Sequence, residues 1–398
     1  MAQEIKLRLK ARSDEEYRKG LPLVYKDRIE NLADLKEEGA IFRLADSRNK
    51  FIGKGYYGLQ NKGCGWILTR DEQEVIDQGF FEKKLQKALK HRESFFNSSD
   101  TTAFRVFNGE GDGIGGLTID YFAGYYLLTW YSEGIYRFKE EILQSLRNLA
   151  DFKGIYEKKR FDAKGSYMGD DDFVEGERGE FPLIVKENGE NFAIYLNDGA
   201  MTGVFLDQRD VRKTIRDVYA KGRTVLNTFS YTGAFSIFAA KGGAVKTTSV
   251  DLANRSKSKT IEQFSINGID YEAQDIIVED VFNYFKYAVR KKLLFDMVIL
   301  DPPSFARSKK HTFSASKDYK NLLKEAIAIT EKDGIIVAST NCSTFGMSKF
   351  KGFIEAAFKE SGGKYKLLEE FSLPKDFRTI SEFKEGNYLK VAFIRKLS

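Results

Sequence analysis

Apolar and polar positions alternate in two distinct styles along the 398-residue chain, and the change of style falls near residue 181. Up to about residue 72 the segments are short and alternating, with frequent glycine: IKLRLKAR, AIFRLADS, FIGKGYYG, GCGWILTR. Alternation with frequent glycine predicts a small β-domain. A helix follows over EVIDQGFFEKKLQKALKHRESFF, where Phe81, Leu85, Ala88 and Leu89 recur at helical spacing. Strands return in TTAFRVFNGEGDGIGGLTIDYFAGYYLLTWY, and a second helix, IYRFKEEILQSLRNLA, closes the block. From residue 181 onwards short β-branched runs (RTVLN, TTSVD, DIIVED, DMVILD, GIIVAST) alternate with helical segments. That pattern predicts a parallel sheet covered on both faces. The tail ends in two strands with no helix between them, which fits an antiparallel strand at the edge. The expected organisation is a small β-domain over 1–72, an α+β middle domain over 73–180 and an α/β domain over 181–398.

Composition narrows the chemistry. Two cysteines, Cys64 and Cys342, exclude a disulfide framework and a cysteine-rich zinc site. Two histidines, His91 and His311, leave no basis for a histidine metal site or a Ser-His-Asp triad, so no metal is expected. No apolar run approaches the roughly 18 residues that span a bilayer, and the N-terminus has no apolar signal core. A cytoplasmic chain without membrane partners is the expectation. A net charge of +6 is a mild tilt towards an anionic partner.

Two glycine loops compete as ligand sites. NGEGDGIGG holds a literal G-x-G-x-x-G at Gly111, Gly113 and Gly116. A dinucleotide loop must open a helix whose N-terminus meets phosphate. Here a strand-like run, LTIDYFAGYYLLTWY, follows, so a β-hairpin connection is expected. The better candidate is RTVLNTFSYTGAFSIF, a strand ending at Asn227, a polar turn with one glycine, Gly233, and a helix. The next strands end in Asp251 and Asp280, and the fourth ends in Asp301. Ligands of open α/β sheets bind beyond the carboxyl ends of the strands. A carboxylate there accepts hydrogen bonds from ribose hydroxyls, although a helix cap accounts for any single one of the three.

These stretches, with VFNGEGDGIGGLTID, GAMTGVFLDQRDVR, DPPSF and NCS, resemble those of class I S-adenosylmethionine-dependent methyltransferases. More closely, the whole chain is similar to bacterial PUA-domain-containing 23S ribosomal RNA methyltransferases of the cytosine-C5 type. The resemblance implies a Rossmann-like C-terminal sheet, S-adenosyl-L-methionine as cofactor and ribosomal RNA as partner, and it leaves a homodimer open. It assigns Asp207, Gln208 and Arg209 to the cofactor's amino-acid end. Phe229, Ser230, Tyr231 and Gly233 fall at the cofactor turn after Asn227, Asp251 at the ribose, Asp280 at the adenine, and Asp301 in the catalytic loop.

Pro302 and Pro303 fix φ and offer no N–H, so the loop behind Asp301 is stiff, as a base held beside a methyl donor requires. Phe305 is placed to stack on that base, and Arg307, Lys309 and Lys310 suit phosphate. Cys342, at the end of GIIVAST, fits the thiolate that adds to cytosine C6, with Asn341 and Ser343 to orient it and Lys349 to favour the thiolate. A buried structural cysteine is the plainer alternative. Some RNA cytosine-C5 methyltransferases carry a second cysteine after the two prolines. Ser304 stands there, which leaves the base for C5 deprotonation between Asp301 and a water. The alternatives are guanine N7 methylation without a thiol, a non-catalytic RNA-binding assembly factor, and a nicotinamide-dependent oxidoreductase, which the lack of a pyrophosphate turn disfavours.

Overall fold

The computed structural model describes residues 4–60, 62–161, 171–199, 201–307 and 312–398. The chain forms two compact units. One comprises residues 1–185, 194–202 and 375–386, the other residues 186–193, 203–374 and 387–398.

The first unit holds two five-stranded sheets over one apolar core. In its first strand, Ile5–Arg8, Leu7 is buried while Lys6 and Arg8 face out, as the alternation predicts. The helix Gln78–His91 is capped by Asp77, whose side chain accepts from Phe80 N at 3.0 Å. It buries Phe80, Phe81, Leu85 and Ala88. The NGEGDGIGG stretch joins the antiparallel strands Ala103–Asn108 and Leu117–Phe122, as expected of a hairpin and not of a nucleotide loop. Its glycines answer packing. A Cβ at Gly111 would lie 1.8 Å from the Arg378 carbonyl oxygen, and one at Gly115 would lie 2.1 Å from the Trp66 ring. The segment Lys375–Gly386 is tied into this unit by Arg92 and Asn108. They donate to the carbonyls of Asp376 and Arg378.

The second unit is built on one sheet of seven strands: β1 (Thr224–Thr228), β2 (Lys246–Asp251), β3 (Asp275–Val278), β4 (Phe295–Leu300), β5 (Thr330–Thr340), β6 (Tyr365–Phe371) and β7 (Lys390–Lys396). Their order is β3-β2-β1-β4-β5-β7-β6. β1 to β5 run parallel, and β7 pairs antiparallel with both β5 and the outermost β6. Strand residues divide by parity between two cores. Leu226, Val298, Leu300, Ile336, Ala392 and Ile394 pack on one face, and Val225, Met297, Ile299, Ile335, Val391 and Phe393 on the other. Burial on both faces explains why these strands read as continuous apolar runs. The helices α1 (Arg209–Thr214), α2 (Ala234–Lys241), α3 (Asn254–Ile266), α4 (Val281–Lys291), α5 (Ala315–Ile329) and α6 (Met347–Glu360) connect them.

Chain order reverses between β1 and β4, so the loops that follow these strands diverge and open a crevice. Thr228 is in register with Val250 and Leu300, and Leu300 with Ala338. Phe229, Asp251, Asp301 and Ser339 therefore stand one residue beyond a common level, at the mouth of that crevice.

Candidate cofactor and catalytic site

The turn after β1 is shaped by backbone conformations that side chains resist. Phe229, Tyr231 and Gly233 all have positive φ, at 55°, 53° and 80°. A left-handed residue with a side chain costs roughly 1–2 kcal/mol, so two of them in five residues need external support. Asp251 supplies it. One carboxylate oxygen accepts from Tyr231 N at 2.9 Å, and the other accepts from Ala253 N at 2.9 Å. Thr232 Oγ1 donates to Gly203 O at 2.7 Å, and Ser230 N to Val250 O at 3.1 Å. A Cβ at Gly233 would lie 2.7 Å from Thr260 Cγ2, so the helix α2 begins where only glycine fits. Each Asp251 oxygen keeps lone-pair capacity for a ribose hydroxyl. Leu252, directly beyond it, is 56% exposed.

Asn227 lies below the turn. It is fully buried, and its amide donates to Ser236 Oγ at 3.0 Å, which meets Ser249 Oγ at 2.8 Å. It supports the turn from inside the sheet rather than lining the crevice. Asp280 caps α4, with one oxygen accepting from Phe282 N at 2.9 Å and Asn283 N at 3.3 Å.

Asp207, Gln208 and Arg209 lead into α1. Gln208 Nε2 donates to Asp301 Oδ1 at 3.0 Å and to Ser339 Oγ at 2.7 Å. Its Oε1 is buried with no partner among the described residues, an acceptor that a ligand's ammonium would satisfy. Tyr388 Oη donates to Asp207 Oδ2 at 2.9 Å. Arg209 is buried. The segment is anchored by Arg212, which pairs with buried Glu187 through two bonds of 2.7 and 2.8 Å and donates to Phe205 O at 2.7 Å. Burial pushes the Asp301 carboxyl up to about 6; the neighbouring Asp207 adds to this, while the Ser339, Gln208 and Arg212 contacts oppose it.

Beyond Asp301, Pro302 is buried and Pro303 exposed. Ser304 Oγ donates to Asn341 Oδ1 at 2.6 Å, joining the loops after β4 and β5. Phe305 is 62% exposed and begins a short hairpin, Phe305–Arg307 with Thr312–Ser314. The Arg307 side chain, Lys309, Lys310 and His311 lie outside the described residues. Lys320, a few residues on, sits on α5 and pairs with Glu360 at 2.6 Å.

Cys342 is buried two residues past β5. Its N–H donates to Thr340 Oγ1 at 3.2 Å, and its Sγ lies 3.2 Å from Thr344 Oγ1. Asn341, expected to orient the thiol, instead receives Ser304. Lys349, expected to favour the thiolate, stands 5.8 Å from the ring centres of Phe345 and Phe353. The lysine at this cysteine is Lys390, which sequence reasoning missed. Its Nζ donates to Cys342 O and Tyr388 O, both at 2.6 Å. The available signal was a lysine opening an otherwise apolar strand, LKVAFI. Cys64 is buried in the other unit, with Sγ 3.4 Å from Val24 O, and burial pushes its thiol up to about 11.

An open parallel sheet with a switch point, a strained turn pinned by a strand-end carboxylate and an unpaired buried acceptor defines a nucleoside-binding α/β enzyme. Three aspartates and an ammonium-accepting amide fit a ligand with ribose, adenine and amino-acid ends. The match to known proteins narrows this class. A family model for S-adenosylmethionine-dependent methyltransferases matches residues 105–383, and a PUA-like domain model matches residues 7–70. The chain belongs to the S-adenosylmethionine-dependent methyltransferases, and S-adenosylmethionine is its cofactor. YwbD of Bacillus subtilis (strain 168), provisionally named a ribosomal RNA large subunit methyltransferase, is 62% identical over 392 residues, covering 98% of this chain and 99% of that protein. Ribosomal RNA large subunit methyltransferase I of Alteromonas mediterranea is 30% identical, covering 95% of each. The crystal structure of SMU.776, provisionally described as a methyltransferase and solved with SAH, superposes with a TM-score of 0.91 at 38% identity, covering 98% of this chain and 100% of that one.

Proposed function

We propose that this enzyme methylates C5 of a cytosine in large-subunit ribosomal RNA, with Cys342 as nucleophile. The observation that carries the reading is the Ser304–Asn341 bond, which ties the Asp301-Pro302-Pro303 loop to the Cys342 loop. The names of the relatives support ribosomal RNA as the substrate class. S-adenosylmethionine, when bound, supplies an electrophilic methyl group. Asp207, Gln208 and Arg209 would hold its amino-acid end, Phe229 to Gly233 its centre, Asp251 its ribose and Asp280 its adenine side. Asn227 acts from beneath, by fixing the turn.

Cytosine C5 is a poor nucleophile, and covalent addition changes that. The Cys342 sulfur pair bonds to C6, and the C5=C6 π pair becomes available at C5. C5 would then take the methyl group, whose bond to the donor sulfur breaks with its pair left on that sulfur. Asp301 then takes the C5 proton, the C5–H pair re-forms the double bond, and the C6–S bond breaks with its pair returning to Cys342. Pro302 and Pro303 hold the loop stiff for this. Phe305, exposed beside it, stacks on the extruded base. Arg307, Lys309 and Lys310 meet phosphate. Residues 1–72, with the basic face of Lys6 and Arg8, bind RNA. Residues 73–180 carry that domain, and residues 181–398 perform transfer.

The test is mass mapping of methylated nucleotides in large-subunit ribosomal RNA, with and without the gene, together with Cys342→Ala. Loss of one 5-methylcytosine, and an inactive Cys342→Ala protein that still binds S-adenosylhomocysteine, is the expected result. Loss of a methylated guanine, with an active Cys342→Ala protein, would replace the reading by N7 transfer, since N7 needs no thiol.

A further inference from the structure

Gln208 is 4% exposed, and its amide carries two N–H donors and one carbonyl acceptor. Both donors are engaged, with Asp301 Oδ1 at 3.0 Å and Ser339 Oγ at 2.7 Å. The acceptor, Oε1, is buried with no partner among the described residues. A buried acceptor left open is costly, so this one calls for a ligand donor. The frame around the amide is fixed. Tyr319 Oη donates to Ser339 O at 2.6 Å, and Arg212, one turn beyond Gln208, is paired with buried Glu187.

The orientation of this amide and the charge of Asp301 depend on each other. With Asp301 ionised, the carboxylate accepts from Nε2, and Oε1 is left for a ligand. Turned over about its last torsion, which has two such wells, the amide would set Oε1 against the carboxylate, oxygen on oxygen. That arrangement needs a proton on Asp301, which the carboxyl then donates to Oε1. The Ser339 hydroxyl follows by changing from acceptor to donor, as a hydroxyl can. A ligand ammonium fits the first arrangement. In the second it would meet two N–H groups, so it favours one state over the other.

We propose that Gln208 couples cofactor binding to the charge of Asp301: the ligand ammonium, accepted by Oε1, selects the amide orientation in which Nε2 holds Asp301 as a carboxylate. This rests on the reading that places the cofactor's amino-acid end at Gln208, and not on the role of Cys342. On binding, the Asp301 O–H bond breaks, its electron pair stays on the carboxylate, and the proton leaves to water at the crevice mouth, where Asp301 is half-buried. The base proposed for C5 is thus charged once the methyl donor is in place. Gln208 acts on the chemistry through Asp301, so it is a positioning residue. The other charged or titratable groups that Asp301 faces are Asp207, which opposes its ionisation, Arg212, which favours it, and Tyr319 on α5, which burial keeps neutral. In the free protein burial raises the Asp301 carboxyl to about 6, so both states are populated in mildly acid solution.

The test counts protons and not turnover. Calorimetry of S-adenosylhomocysteine binding at pH 6, in phosphate and in bis-tris, whose ionisation enthalpies differ, gives the number released. Up to about half a proton per ligand is expected, because a carboxyl titrating near that pH is half protonated before binding. Release should fade by pH 8. Affinity should weaken about fivefold between pH 8 and pH 5, since coupling of proton and ligand is reciprocal. Methylthioadenosine keeps the ribose and adenine and lacks the amino-acid end, so it should bind without release. Asp301→Asn should bind S-adenosylhomocysteine without release. Gln208→Met should weaken S-adenosylhomocysteine, spare methylthioadenosine and abolish release.

Binding of S-adenosylhomocysteine to the wild-type protein with no proton released at pH 6 overturns the proposal, and so does equal release with methylthioadenosine. A Gln208→Met protein that binds S-adenosylhomocysteine more weakly yet still releases the proton sinks only the coupling, because the ammonium then acts on Asp301 without the amide. Unchanged S-adenosylhomocysteine affinity in Gln208→Met sinks the placing of the amino-acid end itself. If Gln208→Met has lost its fold, judged by methylthioadenosine binding, the two ligands on the wild-type protein and on Asp301→Asn decide.

Discussion

Ser304 Oγ donates to Asn341 Oδ1 across 2.6 Å, from the loop after β4 to the loop after β5. The bond holds together the two segments that carry Asp301 and Cys342, residues contributed by strands adjacent in the sheet. Ser304→Ala removes the donor without adding bulk. Misplacement of catalytic groups by a fraction of an ångström costs rate more than binding. Steady-state kinetics should show kcat reduced about tenfold, with S-adenosylhomocysteine affinity unchanged by calorimetry. Ser304→Cys, which puts a thiol at this place, should not restore kcat, because a thiol is a weak donor to Asn341.

Asp251 uses its two oxygens to pin Tyr231 N and Ala253 N. Asp251→Ala removes the bond that holds left-handed Tyr231 and, on the proposed reading, the ribose ligand. The expected result is S-adenosylhomocysteine affinity weakened by more than about thirtyfold, which at 1.4 kcal/mol per decade is about 2 kcal/mol. Thermal unfolding without ligand should show a loss of about 1.5–3 kcal/mol, the worth of a hydrogen bond to a charged group. Unchanged affinity would remove Asp251 from the cofactor site.

Asp301 is held up to about 6 mainly by burial. A carboxyl raised above its unfolded value binds its proton more tightly in the folded state. Its ionisation therefore costs stability as pH rises from about 4 to about 6, and that cost is fully present above 6. In the proposed role as base for C5 it must be ionised. The acid limb of kcat/KM for S-adenosylmethionine should fall as pH drops through about 6 and vanish in Asp301→Asn, which should have no measurable turnover. At pH 8, Asp301→Asn should unfold no earlier than wild type and be up to about 3 kcal/mol more stable, because the cost of the buried charge is gone. A variant clearly less stable at pH 8 would mean that Asp301 contributes more by its hydrogen bonds than it costs by its charge.

What the sequence revealed of this site is local in character. The β1 turn, the strand-end positions of Asp251 and Asp301, and the proline-stiffened loop all follow from a strand and the few residues after it. The contacts that escaped join distant segments. Glu187 and Arg212 are separated by 25 positions, Cys342 and Lys390 by 48. The second depends on β7 entering between β5 and β6, which brings Lys390 into register with Thr340. No periodicity within either strand announces that insertion. Charge counting along the chain favoured Lys349, seven residues from Cys342 in sequence, yet its helix α6 turns it onto two phenylalanine rings. The return of Lys375–Gly386 to the first unit was equally illegible, since its anchors join it to positions far back in the chain: the Asp376 and Arg378 carbonyls to Arg92 and Asn108, the Asp376 carboxylate to Arg105 N, and the Phe383 ring to Trp66.

The G-x-G-x-x-G stretch gives the sharpest contrast between motif and physics. As a nucleotide loop it would lose ligand when its glycines are replaced. As a packed hairpin connection it would lose stability instead. A Cβ at Gly115 meets the Trp66 ring at 2.1 Å, and one at Gly111 meets a carbonyl at 1.8 Å, where nothing flexible can yield. Overpacking a tight core costs about 1–3 kcal/mol. Gly115→Ala should lower the unfolding free energy of the first unit by that amount, read by urea titration of tryptophan fluorescence, both Trp66 and Trp130 lying in this unit. Calorimetry well below the transition should find S-adenosylhomocysteine affinity within twofold of wild type. A stable Gly115→Ala protein with weakened binding would reverse the assignment, making the loop a ligand site and the β1 turn its bystander.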